Sequence, residues 1–236
     1  MTVIRDLLAP ARCVLLDFDG PVARLFFGRS AGDIATRLVE RILRDIPAEE
    51  LASDLLSTRD PLRVLKIFAK GRPGHPLTRE LHAILSGEEV RAALTAKPTL
   101  GASPLIRALV ALDRRLAVTT NNSAEAASLY LARRNLLPYF GAAHVHGRTE
   151  DVGLLKPHPD SLSRALDGLG LPPSDALMIG DGASDVAAAE AAGVAFLGYA
   201  RNERKYNELR GAGAPEAMIV RSLEPVRRGA VELIRG

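Results

Sequence analysis

The residues of this chain with types and spacing suited to chemistry are Asp17, Asp19, Thr120, Asn121, Lys156, Asp181 and Asp185. The densest stretch is Cys13-Val14-Leu15-Leu16-Asp17-Phe18-Asp19-Gly20-Pro21. Its apolar run reads as a short buried strand, and Gly20-Pro21 as the break that ends it. In extended chain, residues two apart point the same way. Asp17 and Asp19 are therefore delivered together where the strand stops. Neighbouring carboxylates raise each other's pKa unless a cation or a shared proton relieves them. Such a pair suits a hard divalent cation, or a nucleophile beside a general acid/base. Asp-x-Asp-Gly also occurs in plain turns and in calcium loops.

Three further clusters carry polar groups. Thr119-Thr120-Asn121-Asn122-Ser123 offers hydroxyls, amides and backbone N–H groups at a helix start, either an anion site or an N-cap. Lys156 lies in Lys156-Pro157-His158-Pro159, where an exposed lysine is usually a solvated charge. Gly180-Asp181 through Asp185 puts two acids around a turn entering a helix, a capping arrangement as readily as a metal site.

The elements that must position these groups are strands alternating with helices. Strands are expected at Val14–Leu16, Leu116–Thr119, Ala143–Val145, Ala176–Ile179, Val194–Leu197 and Met218–Val220. Helices are expected over Ser103–Leu112, Ala124–Arg134, Asp160–Leu169, Val186–Ala192 and Glu224–Ile234. This rhythm predicts an α/β fold with a doubly wound parallel sheet. In such sheets, ligands bind at the carboxyl ends of the strands, and all four clusters fall there. Between about Ala31 and Ala96 only helical periodicity is present. Ile34, Leu38, Ile42 and Ile46 recur every fourth residue, and helices follow over Pro47–Ser57, Pro61–Lys70 and Thr78–Ala96. A helical block this long exceeds an ordinary crossover. The organisation expected is a core of residues 1–21 and 100–236 with an inserted all-α domain of residues 22–99.

Composition narrows the classes. The chain has 236 residues, 47% hydrophobic and 25% charged, in the range of globular proteins. The net charge of +3 comes without a dense basic run, so nucleic acid is not an expected partner. With one cysteine, no disulfide can form within the chain, and Cys13 reads as a buried small hydrophobe. No apolar run nears the roughly 20 residues of a membrane span, and residues 1–10 lack a signal-peptide core. A cytoplasmic protein, monomeric or homodimeric, is expected.

In combination, the four clusters resemble the haloacid dehalogenase superfamily. Asp17-Phe18-Asp19-Gly20-Pro21 meets its first motif, Thr120 followed by Asn121 its second, Lys156-Pro157-His158-Pro159 its third, and Gly180 through Asp185 its fourth. The resemblance covers Ala11 to Leu233 apart from the insert, whose position and helicity are those of the family's cap domain. It implies a Rossmann-like core and a phosphatase acting on a small phosphorylated metabolite. Asp17 would be the nucleophile and Asp19 the acid/base, while Thr120, Lys156 and backbone N–H groups near Phe18, Asp19 and Asn121 would hold the phosphoryl group. Mg²⁺ would be bound by Asp17, Asp181 and the Asp19 backbone carbonyl, with Asp185 ordering metal-bound water or Lys156. Relatives that cleave carbon–halogen bonds lack the second acid, so Asp19 favours phosphoryl chemistry. A sugar-phosphate mutase, or a non-catalytic binding protein on the same fold, stays open. Pro21 and the segment Val22–Phe27 depart from the common first motif, which bears on the subfamily. Arg24, Arg72 and His75 are candidates for reading an anionic substrate. Arg201, Arg204 and Lys205 read as a solvated face, and His144 and His146 lack the further ligands a metal site needs.

Overall fold

A computed structural model describes residues 2–141 and 144–235. Helix α1 (Thr2–Leu8) precedes strand β1 (Cys13–Leu16), and the Asp17–Pro21 turn leads to a two-residue strand β2 (Ala23–Arg24). Helices α2 (Ala31–Leu43), α3 (Ser53–Ser57), α4 (Pro61–Gly71) and α5 (Leu77–Ala93) follow, then strand β3 (Lys97–Pro98). The chain continues through α6 (Ala102–Ala111), β4 (Arg115–Thr119), α7 (Ala124–Arg133), α8 (Leu137–Phe140), β5 (Val145–His146) and α9 (Asp160–Leu169). It ends with β6 (Ala176–Gly180), α10 (Ala183–Ala192), β7 (Ala195–Tyr199), α11 (Glu203–Gly211), β8 (Ile219–Val220) and α12 (Glu224–Arg235).

Six strands form one sheet in the order β5-β4-β1-β6-β7-β8, every pair parallel. All four residues of β1 are buried, as a central parallel strand requires. Because side chains alternate across a strand, Val14 and Leu16 pack with α1, α6, α7 and α12 on one face. Cys13 and Leu15 pack with α9 and α10 on the other. The strand order reverses at β1, and such a switch point opens a crevice beyond the strand ends. Register completes the placement. Leu16 lies opposite Val118 and Ile179, so Asp17, Thr119 and Gly180 leave the sheet at one level.

The helices between β2 and β3 have their own core, including Leu38, Ile42, Leu65, Phe68 and Leu81. Their two connections to the sheet pair with each other, Ala23 with Pro98 and Arg24 with Lys97, adding a short antiparallel ribbon to an otherwise helical block. Helix α2 stops at Leu43, yet Ile46 stays buried in the turn beyond it. The single helix expected over Pro47–Ser57 is instead a 3₁₀ turn, Ala48–Glu50, followed by α3. Glu49 and Glu50 are exposed and give a continuous helix no apolar stripe to bury. Ala143 of the expected strand lies outside the described residues, and β5 is Val145–His146. Among the described residues, no helix is long and apolar enough to cross a membrane.

Candidate active site

Asp17 sits one residue beyond β1 and is 8% exposed. Its Oδ1 accepts from Lys156 Nζ at 2.8 Å. Lys156, 1% exposed, also donates to the Thr119 carbonyl at 2.9 Å and makes a still shorter contact with Asp185 Oδ1. A fully buried ammonium thus bridges two carboxylates, one just beyond β1 and one in the first turn of α10. Burial opposes the charge on Lys156, but Asp17 and Asp185 outweigh it and hold its pKa above the ordinary lysine range. Burial pushes Asp17 up to about 6 despite Lys156, and the neighbouring acids add to the rise. Asp181 is pushed up to about 7, chiefly by burial, with Lys205 opposing and Asp17, Asp185 and Asp19 adding.

Each acid has a different local role. Asp19 is only half-buried, and its Oδ1 accepts from Leu25 N–H at 2.8 Å, which aims the carboxyl into the crevice mouth. Burial raises its pKa against that hydrogen bond and against Arg201 and Lys205. Asp185 spends both oxygens within the protein. Oδ1 meets Lys156, and Oδ2 accepts from Asp181 N–H and Gly182 N–H, each at 3.0 Å. Those two bonds cap α10, so the helix starts at Ala183, three residues earlier than the pattern suggested. Asp181 Oδ2 is buried without a hydrogen-bond partner.

Ligand atoms of Asp17, Asp181 and Asp185 lie within 4.8 Å of one another. Asp181 Oδ2, which makes no hydrogen bond and has the Lys205 ammonium 3.4 Å away, and the uncommitted Oδ2 of Asp17 form a donor set of hard oxygens that fits a divalent cation. Asp185, with both oxygens engaged, suits contact through water. Gly20 keeps this space clear, since a Cβ there would stand 2.7 and 2.8 Å from the two Asp181 carboxylate oxygens.

The expected anion groups divide. Thr120, 1% exposed, ties its hydroxyl into its own turn through Asn122. The Asn121 side chain is spent on Lys156. Oδ1 accepts from Lys156 N–H at 2.8 Å and Nδ2 donates to Lys156 C=O at 3.1 Å. The backbone N–H groups of Phe18, Asp19 and Asn121 have no protein acceptor among the described residues, and these remain to meet an anion. Arg24, Arg72 and His75 are not brought to the cluster. Arg24 lies over the Phe27 ring at 4.6 Å, Arg72 is bound to Glu50, and His75 packs edge-on to Phe68.

The sequence reading missed several residues that line the same cavity, a space of about 220 Å³. Lys205 was read as part of a solvated face, but Asn202 caps α11 and that helix turns Lys205 inward. Its Nζ stands 3.4 Å from Asp181 Oδ2 and 3.4 Å from Glu208 Oε2. Glu208 in turn accepts from Ala183 N–H at 3.2 Å. The i,i+3 spacing of Lys205 and Glu208 was the available signal. Glu89 of α5 and Arg148, beyond β5, form a buried ion pair at 2.9 Å behind the Thr120–Ser123 turn. No local pattern in the sequence marked either.

Fold and site together define a hydrolase built on a parallel α/β sheet. The chain belongs to the haloacid dehalogenase-like hydrolase family, whose model matches residues 11–193. Over 110 residues it is 40% identical to phosphoglycolate phosphatase from Rhodospirillum rubrum, a match spanning 43% of this chain and 42% of that protein. Among solved structures, a predicted phosphatase from Clostridium acetobutylicum superposes with TM-score 0.66 at 23% identity, covering 94% of this chain and 99% of that one. A family hydrolase from Deinococcus radiodurans, solved with bound phosphate and sodium, gives TM-score 0.60 at 25% identity, covering 95% and 97%.

Proposed function

We propose that the protein is a Mg²⁺-dependent phosphomonoesterase working through an aspartyl-phosphate. The observation that carries this reading is the buried ammonium of Lys156 shared by Asp17 and Asp185, with the Asp181 carboxylate beside them. Asp17 attacks phosphorus and forms the new O–P bond, while the bond from phosphorus to the ester oxygen breaks. Asp19 gives that leaving oxygen its proton, then takes one from the water that hydrolyses the aspartyl-phosphate and frees Asp17. Lys156 and the free N–H groups of Phe18, Asp19 and Asn121 hold the non-transferring oxygens. Asp17, Asp181 and the Asp19 carbonyl would hold a divalent cation, which would supply the charge neutralisation an anionic nucleophile needs to approach an anionic ester.

Residues 1–21 and 100–236 form the catalytic core in this reading, and residues 22–99 the cap that selects substrate. The cavity of about 220 Å³ is below the roughly 300–1,000 Å³ of drug-sized ligand sites. Such a space suits a small phosphate ester. The Rhodospirillum relative's name makes 2-phosphoglycolate the first substrate to assay. Phosphate release that requires both Mg²⁺ and Asp17 is the expected result. Equal release by Asp17→Asn, or release unaffected by chelator, would sink the mechanism.

A further inference from the structure

Helix α5 of the insert carries two adjacent buried acids, Glu88 and Glu89, 3% and 1% exposed. Glu88 gathers arginines from the insert and its connection: Arg29 at 2.6 Å, and Arg37 and Arg91 at 2.9 Å each. Glu89 faces the other way, into the core. Its Oε1 accepts from Arg148 at 2.9 Å and from Asn122 Nδ2 at 3.0 Å. Its Oε2 accepts from the second Arg148 nitrogen at 2.9 Å and from Ser123 N–H at 2.9 Å. The paired guanidinium also donates to the Asn121 carbonyl at 2.9 Å and to Ser86 of α5 at 2.9 Å, and Arg148 N–H donates to the Asn122 carbonyl at 2.8 Å.

These bonds converge on three residues, Asn121 to Ser123. That turn presents Thr120 and the free N–H of Asn121 to the cavity, and through the Asn121 side chain it also fixes the backbone of Lys156. A two-pronged arginine–carboxylate pair imposes direction as well as attraction. Burying such a pair is not an efficient route to stability, because apolar replacements are often as stable. The pair therefore makes more sense as a device for geometry than as a stabilising contact.

We infer that Glu89 is a positioning residue that sets the phosphoryl-holding turn through Arg148, so that the turn is correctly shaped only while α5 is docked on the core. The inference rests on the phosphatase reading for its consequence, but its geometry concerns the turn alone.

The test compares Glu89→Gln, Arg148→Met and the double variant with wild type. Three quantities are measured: thermal stability, affinity for inorganic phosphate in saturating Mg²⁺, and affinity for Mg²⁺ alone. Glu89→Gln should weaken phosphate binding at least ten-fold at temperatures where it is fully folded, with Mg²⁺ affinity within two-fold of wild type. The double variant, which buries no unpaired charge, should regain most of the lost stability and none of the phosphate affinity. Recovery of both together, or unchanged phosphate affinity in folded Glu89→Gln, would reduce the pair to a structural tie and overturn the inference. A wild type that binds phosphate but hydrolyses no monoester, alongside a Glu89→Gln variant that loses phosphate binding, would refute the phosphatase reading and leave the inference standing.

Discussion

Metal binding at this site should be strongly coupled to protons. Without a cation, burial and mutual repulsion push Asp181 up to about 7 and Asp17 up to about 6, against an ordinary value of 3.8 for each. Both folded-state values are raised, so the folded, metal-free protein binds more protons than the unfolded chain between about pH 4 and 7. The stability these two carboxylates allow is therefore greatest in acid and is lost as pH rises through that window. A divalent cation takes the place of the protons. At pH 8 both carboxylates are largely ionised and ready to receive it. At pH 5 the cation must displace a proton held about two units above ambient on Asp181 and one held about one unit above on Asp17. At about 1.36 kcal/mol per unit, the three units come to about 4 kcal/mol, or roughly a thousand-fold in affinity. Mg²⁺ titrations by calorimetry at pH 5, 6, 7 and 8, in buffers of differing ionisation enthalpy, read both the affinity and the protons released. About two protons should leave per ion at pH 5 and almost none at pH 8. An affinity changing less than ten-fold across the range, or binding at pH 5 without proton release, would refute the reasoning.

Other substitutions probe separate parts of the architecture. Lys156→Met leaves Asp17 and Asp185 facing each other in the interior. It should cost about 3–5 kcal/mol at pH 8 by urea denaturation and abolish phosphate release. Gly20→Ala pushes a methyl group into the Asp181 carboxylate. It should lower Mg²⁺ affinity at least ten-fold in calorimetry, with a far smaller effect on apparent phosphate affinity once Mg²⁺ is saturating. Leu38→Ala removes a fully buried side chain from the core of the insert. It should destabilise by about 2–5 kcal/mol, seen as a lower urea midpoint.

Much of the catalytic core was legible because its signals are local. A strand ending in Asp17-Phe18-Asp19-Gly20 needs only alternation and a breaker to be read. The same holds for β4 running into Thr120 and β6 into Asp181. Parallel register then brings these ends together without further information. What escaped was whatever depends on one element meeting another far along the chain. Glu89 and Arg148 are 59 positions apart, and neither sits in a turn or periodic pattern that singles it out. Lys205 escaped because α11 is mostly polar, and its i,i+3 spacing with Glu208 is one that solvated helix faces carry as well. The side-chain bonds of Asn121 to the backbone of Lys156, 35 positions away, are of the same long-range kind. The break between Ala48–Glu50 and α3 follows from the lack of an apolar stripe, a signal that was present and under-weighted.

The ribbon of β2 and β3 has a consequence for how such a protein can change over generations. Residues Arg24 and Lys97 are partners across it, so the whole helical block leaves and rejoins the sheet at two points one strand spacing apart, about 4.8 Å. From the standpoint of the sheet, seventy residues are closed by the same gap that a tight hairpin would close. The block can lengthen, shrink or be exchanged for another of different shape, and the strand ends bearing Asp17, Thr120 and Asp181 feel the same boundary. Sheet and insert can then diversify at separate rates. Glu89 sets the exception, since any replacement block would have to bring its own grip on the turn after β4.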